Sequence, residues 1–214
     1  MRATVPHSER RLAAVHALPA PRTDDRALLA ALHDGNPGAA ARLFDGYAPA
    51  VERTLVRILG ADVDVAGLLN DVFVRALARV DRVVDPEALG AWLTRIAVFT
   101  AREHIRARRR RSWLSFFAAD EMPEVEALEA PVEMREAVAH LYRALEALPV
   151  DDRVAFSLRY LEQMELTEVA DACDVSLATV KRRLARAETR FLAHSRRDPL
   201  LAGWIEEGTR WSRR

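Results

Sequence analysis

Apolar positions recur every three or four residues along most of this chain, and turn-forming residues cut the pattern into segments of helical length. The clearest run is 64–81, where Val65, Leu68, Leu69, Val72, Phe73, Ala76, Leu77 and Val80 keep i, i+3, i+4 spacing. Before it, helices are predicted near 24–33 and 37–59, separated by the breaker Gly35-Asn36-Pro37, with a possible bend at Tyr47-Ala48-Pro49. After it, Asp85-Pro86 opens a helix over about 86–111 that carries Trp92, Leu93, Ile96 and Ile105. The period fails over 112–132, an acidic tract with Pro123 and Pro131 that reads as an extended linker. It returns at 133–147 with Met134, Val138, Leu141, Leu145 and Leu148. Pro149 ends that helix, and another follows with Val154, Leu158 and Leu161 facing inward.

Residues 166–186, LTEVADACDVSLATVKRRLAR, read as a helix-turn-helix. Ala170 supplies the small side chain that two crossing helices need, Asp174 stands at the turn where glycine is usual, and Ser176 is placed to cap the second helix. Val180 and Leu184 form that helix's apolar stripe, and its other face carries Thr179, Arg182, Arg183 and Arg186, with Lys181 at the flank. Apolar packing on one side and hydrogen-bonding cations on the other suit a major groove.

The pattern therefore predicts an all-α chain of two small helical domains joined by an acidic flexible linker. A mobile arm is expected at 1–22, the first domain at 23–111, the linker at 112–132, the second domain at 133–195 and a C-terminal extension at 196–214. In the extension, Leu200, Leu201, Trp204 and Ile205 are predicted to pack onto the second domain, with a regulator contact as the competing role.

Charge changes the picture more through its distribution than through its sum. Lys and Arg number 32 and so do Asp and Glu, yet 102–111 (REHIRARRRR) and 181–190 (KRRLARAETR) are strongly basic. Between them 120–133 holds six carboxylates and no Lys or Arg. Blocks of this kind govern the choice of partner. The only cysteine, Cys173, excludes an internal disulfide and is expected as a small buried hydrophobe. No apolar run approaches a membrane span and no signal core opens the chain, so a cytoplasmic location without membrane insertion is expected. Histidines lack metal-ligand spacing, and neither a phosphate loop nor a nucleophile motif is found; no catalytic residue, metal or cofactor is assigned.

Three segments in this order, 64–77 (DVAGLLNDVFVRAL), 91–106 (AWLTRIAVFTAREHIR) and 145–186, make the chain resemble bacterial RNA polymerase sigma factors of the extracytoplasmic-function group over about 23–195. The resemblance implies a region 2-like domain that binds polymerase and melts promoter DNA, and a region 4-like helix-turn-helix that binds the upstream element. It implies core RNA polymerase, promoter DNA and an anti-sigma regulator as partners, and no enzymatic activity of the chain's own. Carried onto this sequence, Asp64, Asn70, Asp71 and Arg75 would contact polymerase. Trp92, Arg95, Arg102, Arg106, Arg108 and Arg109 would meet the downstream element and the melted strand, although Trp92 is also spaced as a core residue. Ser176, Thr179, Lys181, Arg182, Arg183 and Arg186 would bind the upstream element, with Arg182, Arg183 and Arg186 reading base edges.

Departures from the family pattern fall at Ala66 and Gly67, where acidic residues are common, and at Phe99, where the family often has Asn nearby. Gly67 inside a helix is expected to cost roughly 0.5–1 kcal/mol relative to Ala. Two other readings fit parts of the pattern: a stand-alone helix-turn-helix regulator, or a sigma-like decoy that binds polymerase or a regulator.

Overall fold

The computed structural model describes residues 24–60, 63–114 and 132–202, and every regular element among them is helical. The predicted arm at 1–22, most of the linker and residues 203–214 of the extension, with Trp204 and Ile205, lie outside the described residues.

Helix α1 (Asp25–His33) and α2 (Pro37–Leu59) meet at the predicted breaker. Asn36 caps α2, its side chain accepting from the Gly38 N–H, and Pro37 occupies the first turn, where a missing N–H costs nothing. Pro49 does not end α2; the helix runs through it. Gly60 then closes α2 with φ of 96°, a conformation that strains residues bearing a Cβ.

Helix α3 (Val65–Leu77) is shorter than its apolar period. At Arg79 φ swings to −138°, and Val80–Arg82 forms a separate 3-10 turn that sends Val83 into the core. A second 3-10 turn, Pro86–Ala88, is capped by Asp85 and leads into α4 (Leu89–Leu114). With no Gly or Pro among the residues directly after Arg111, α4 continues past its predicted end to Leu114. Beyond the undescribed segment come α5 (Val132–Glu146) and α6 (Val150–Phe156). The chain then widens into a π turn, Ser157–Leu161, closed by the Glu162 N–H on the Ser157 carbonyl at 2.9 Å.

The helix-turn-helix follows as α7 (Leu166–Cys173) and α8 (Leu177–Ser195). Asp174 takes the left-handed conformation (φ 54°, ψ 52°), and Ser176 caps α8 by accepting from the Thr179 N–H at 3.3 Å. Ala170, Val180 and Leu184 are buried, as the pattern requires.

One apolar core runs through both halves. Leu43, Tyr47, Leu55 and Leu93 belong to the same cluster as Val154, Leu158, Val180 and Leu184. A smaller cluster of Leu145, Leu148, Phe156 and Ala187 lies under α5 and α8, with the Phe156 ring between Tyr160 and Phe191. The halves also share polar locks. Arg153 is 3% exposed and donates to the carbonyls of Ile58 and Leu59, the last turn of α2, at 2.9 and 3.0 Å. Those carbonyls have no partner within their own helix, and a cation at a helix C-terminus also suits the helix dipole. The Tyr142 hydroxyl donates to the Val56 carbonyl, and the Tyr142 ring would lie 3.3 Å from any Cβ added at Gly60. Glu162, buried, pairs with Arg53 at 2.9 Å.

Candidate polymerase and nucleic-acid interfaces

On α3 the expected polymerase face divides in two. Asn70 and Asp71 are exposed on its outer side. Asp64 instead caps the start of the helix, its carboxylate accepting from the Gly67 N–H at 3.0 Å. Arg75 reaches across to α4, where it pairs with Glu103 at 2.6 Å and lies 5.4 Å from the centre of the Phe99 ring. Phe99 is 46% exposed and roofed by that guanidinium. Exposed Val74 and Leu77 extend the apolar surface along the same helix; Leu77 is expected inward by its period, whereas Val74 lies outside that period.

Trp92 is half-buried and packs against the core, consistent with its spacing beside Leu93 and Ile96. The basic residues of α4 point toward the second half of the molecule. Arg95 donates to the Asp171 carbonyl at 3.1 Å, and Arg102 to the Cys173 carbonyl at 3.2 Å. The Arg102 and Arg106 guanidinium groups approach Asp151 at 3.2 and 3.8 Å. Arg108 pairs with Glu146 at 3.2 Å, and Arg109 donates to the carbonyls of Glu146 and Leu148.

Helix α8 divides in the same way. Lys181 and Arg182 are exposed on its outer side and Thr179 is half-exposed near its start. Arg183, expected on the base-reading face, is turned inward: its side chain is 15% exposed and meets Asp151 at 3.4 Å. Its position one residue before Leu184 puts it at the edge of the buried stripe rather than opposite to it. Arg186 stays half-exposed and is pinned to Asp152 at 2.7 Å. Asp151 and Asp152, which the sequence reading did not single out, thus gather cations from two helices. Two consecutive acids in the first turn of a helix are ordinary dipole partners, so sequence alone gave no reason to select them.

Several titratable groups are displaced by burial, His104, Arg153 and Cys173 among them. Burial, then the charges of Arg111 and Arg108, depress His104 below its ordinary value of 6.5. Burial above all, with the charges of Arg108 and Arg109 adding to it, pulls the Arg153 guanidinium down to about 10 against the opposing pull of Glu146 and Tyr142. Cys173 is 2% exposed and its thiol is raised by burial, which leaves it protonated and inert. Among the described residues no group of His, Cys, Asp and Glu could hold a metal, and no helix is long and apolar enough to cross a membrane. Leu201 is buried and Asp198 meets His140 on α5, so the described start of the extension folds back on the second half, but Leu200, expected to pack there too, is exposed.

Comparison with known proteins places both halves. The family model "Sigma-70 region 2" matches residues 43–111, which span most of α2 through α4. The model "Sigma-70, region 4" matches 139–191, which span α5 to α8. The ECF RNA polymerase sigma-E factor of Escherichia coli strain K12 is 32% identical over 136 residues, covering 58% of this chain and 70% of that protein. The sigma-E factor of Haemophilus influenzae is 25% identical over 186 residues, covering 83% and 97% respectively. Among solved structures, CnrH in complex with the cytosolic domain of CnrY shares the fold with a TM-score of 0.56 at 23% identity, over 82% of this chain and 99% of that one. RpoE bound to the anti-sigma factor NepR from Bartonella quintana also has a TM-score of 0.56, at 21% identity over 75% and 99%. With a region 2 and a region 4 in order along one helical chain, and a curated relative matched over most of its length, the chain belongs to the extracytoplasmic-function group of RNA polymerase sigma factors.

Proposed function

We propose that this sigma factor acts as a dissociable initiation subunit, binding core RNA polymerase through the outer face of α3 and promoter DNA through α4 and α8. The observation that carries the reading is the form of α8: a Ser176-capped helix after a left-handed turn, with Lys181 and Arg182 on its open side. Arg182 is the base reader, since a bidentate Arg–guanine pair discriminates by about 1–3 kcal/mol. Ser176, Thr179 and Lys181, near the helix N-terminus, fix its register on phosphates. On α4, Arg95, Arg102, Arg106, Arg108 and Arg109 neutralise the backbone of the opened strand once freed from their present partners. Asn70 and Asp71 form the polar centre of the polymerase contact, with Val74 and Leu77 as its apolar border. Asp64 and Arg75 support that face, one as a cap and the other through Glu103.

The first domain extends over 23–111 and the second over 133–195, joined by the acidic linker 112–132. The protein works in the cytoplasm, where its polymerase is, and catalyses nothing itself. Its solved neighbours are held by protein partners, NepR being an anti-sigma factor; a partner of that class is proposed for this chain too.

Co-purification with core RNA polymerase beside run-off transcription separates these roles. Asn70→Ala/Asp71→Ala is expected to lose polymerase from the pull-down. Arg182→Ala is expected to keep polymerase while promoter-specific transcripts fall at least tenfold, the scale of one lost base contact at about 1.4 kcal/mol. Equal loss of both readouts in both variants would refute the division.

A further inference from the structure

The two surfaces assigned to DNA face each other in this chain, and one carboxylate stands between them. Asp151, on the first turn of α6, lies 3.2 Å from Arg102 and 3.8 Å from Arg106 of α4, and 3.4 Å from Arg183 of α8. Its neighbour Asp152 holds Arg186 of α8 at 2.7 Å. Four of the cations that would meet promoter DNA are therefore engaged by two adjacent acids. We propose that Asp151 is an internal stand-in for a DNA phosphate, which holds the basic faces of α4 and α8 against each other in the free chain so that DNA and this contact exclude one another.

Three features support the assignment. The acid joins elements far apart in sequence, whereas a carboxylate that only stabilised the start of α6 would need no guanidinium at all. The contact is also incomplete: Arg102 Nε, though 3.2 Å from Asp151, is not aligned for a hydrogen bond, and one buried amino nitrogen each of Arg102 and Arg183 finds no hydrogen-bond partner among the described residues. A phosphate offers more acceptor oxygens than the single carboxylate they share, which favours exchange when DNA arrives. Finally, the arrangement engages Arg102, Arg106, Arg183 and Arg186 while Asn70 and Asp71 remain exposed, so it leaves the polymerase face open.

The inference rests on the sigma-factor reading, and the test keeps the two apart. Binding of the free full-length protein to a short mixed-sequence DNA duplex is followed by fluorescence anisotropy, with the radius of gyration from small-angle scattering alongside. Asp151→Asn is expected to bind the duplex about tenfold more tightly than wild type, as released guanidinium groups become available to phosphates, and to expand. Asp151→Glu keeps the charge and should behave as wild type. Glu52→Gln makes the same change of net charge on α2, away from the contact, and should alter affinity less than twofold. Asp151→Ser retains a hydrogen-bonding group at the helix start and replaces Asp151→Asn if the latter does not fold. An equal gain from Asp151→Asn and Glu52→Gln, or no gain from Asp151→Asn, would overturn the proposal while leaving the sigma-factor reading intact. Failure of wild type to co-purify with core polymerase would remove the reading itself.

Discussion

Gly67 looks, by helix propensity alone, like a weakness in the first turn of α3. Its surroundings reverse that judgement. The Asp64 carboxylate folds back to accept from the Gly67 N–H, and a Cβ at this position would lie 2.6 Å from Asp64 Oδ2. Alanine here gains roughly 0.5–1 kcal/mol of backbone propensity but displaces a cap worth about 1 kcal/mol. Gly67→Ala is therefore expected to leave the unfolding free energy within about 0.5 kcal/mol of wild type, because the two terms offset. In an Asp64→Ala background the same change should stabilise by about 0.5–1 kcal/mol, since no carboxylate remains to be moved. Urea titrations of the four proteins measure the coupling directly; identical effects of the alanine in both backgrounds would show that the cap and the glycine are independent. Sequence showed the glycine's cost and missed its purpose, because the purpose depends on which way a neighbouring side chain turns.

At the scale of elements, the helices of α1 to α8 were largely legible, since capping residues and 3.6-residue periods are local. What local pattern could not supply is the pairing of α4 with α6 and α7. The apolar period located Ile105 and the arginine run, but not that His104 would be enclosed beside Arg108 and Arg153. That enclosure has a pH signature. Burial is the larger cause and Arg111 the next, and both disfavour the imidazolium, so the folded form holds its proton less well than the unfolded chain. The unfolded state then binds more protons as the pH falls below 6.5, and stability declines through that window until the folded His104 also protonates. Chemical denaturation of wild type across this range should show the decline, and His104→Gln should flatten it. An unchanged slope in the variant would assign the pH dependence to another group.

The whole molecule turns on how separated charges meet. The sequence gives two basic runs and an acidic tract at 120–133, and the simplest pairing sets the tract against the runs. Among the described residues the cations find Glu146, Asp151 and Asp152, carboxylates on the helices packed beside them. Asp151 and Asp152 carry no mark in the sequence, because a first-turn aspartate is equally at home in any soluble helix, and Glu146 is one more acid at the end of α5. Arg183 stands at the edge of the buried stripe, where a counter-ion on another helix, Asp151, completes its inward turn. If these contacts close the free protein and DNA opens it, the distance between α2 and α8 must grow when initiation begins. Cys173 allows this to be followed, because the buried, protonated thiol resists labelling while engineered surface cysteines react. With a donor and an acceptor at Asp45→Cys and Ala193→Cys, both exposed, energy transfer should be high in the free protein. Core polymerase with promoter DNA should lower it, and Asp151→Asn should lower it in part without either. Transfer that stays constant from free protein to promoter complex would mean that the two halves bind DNA in the arrangement described here, with the α4 arginines still on their protein partners.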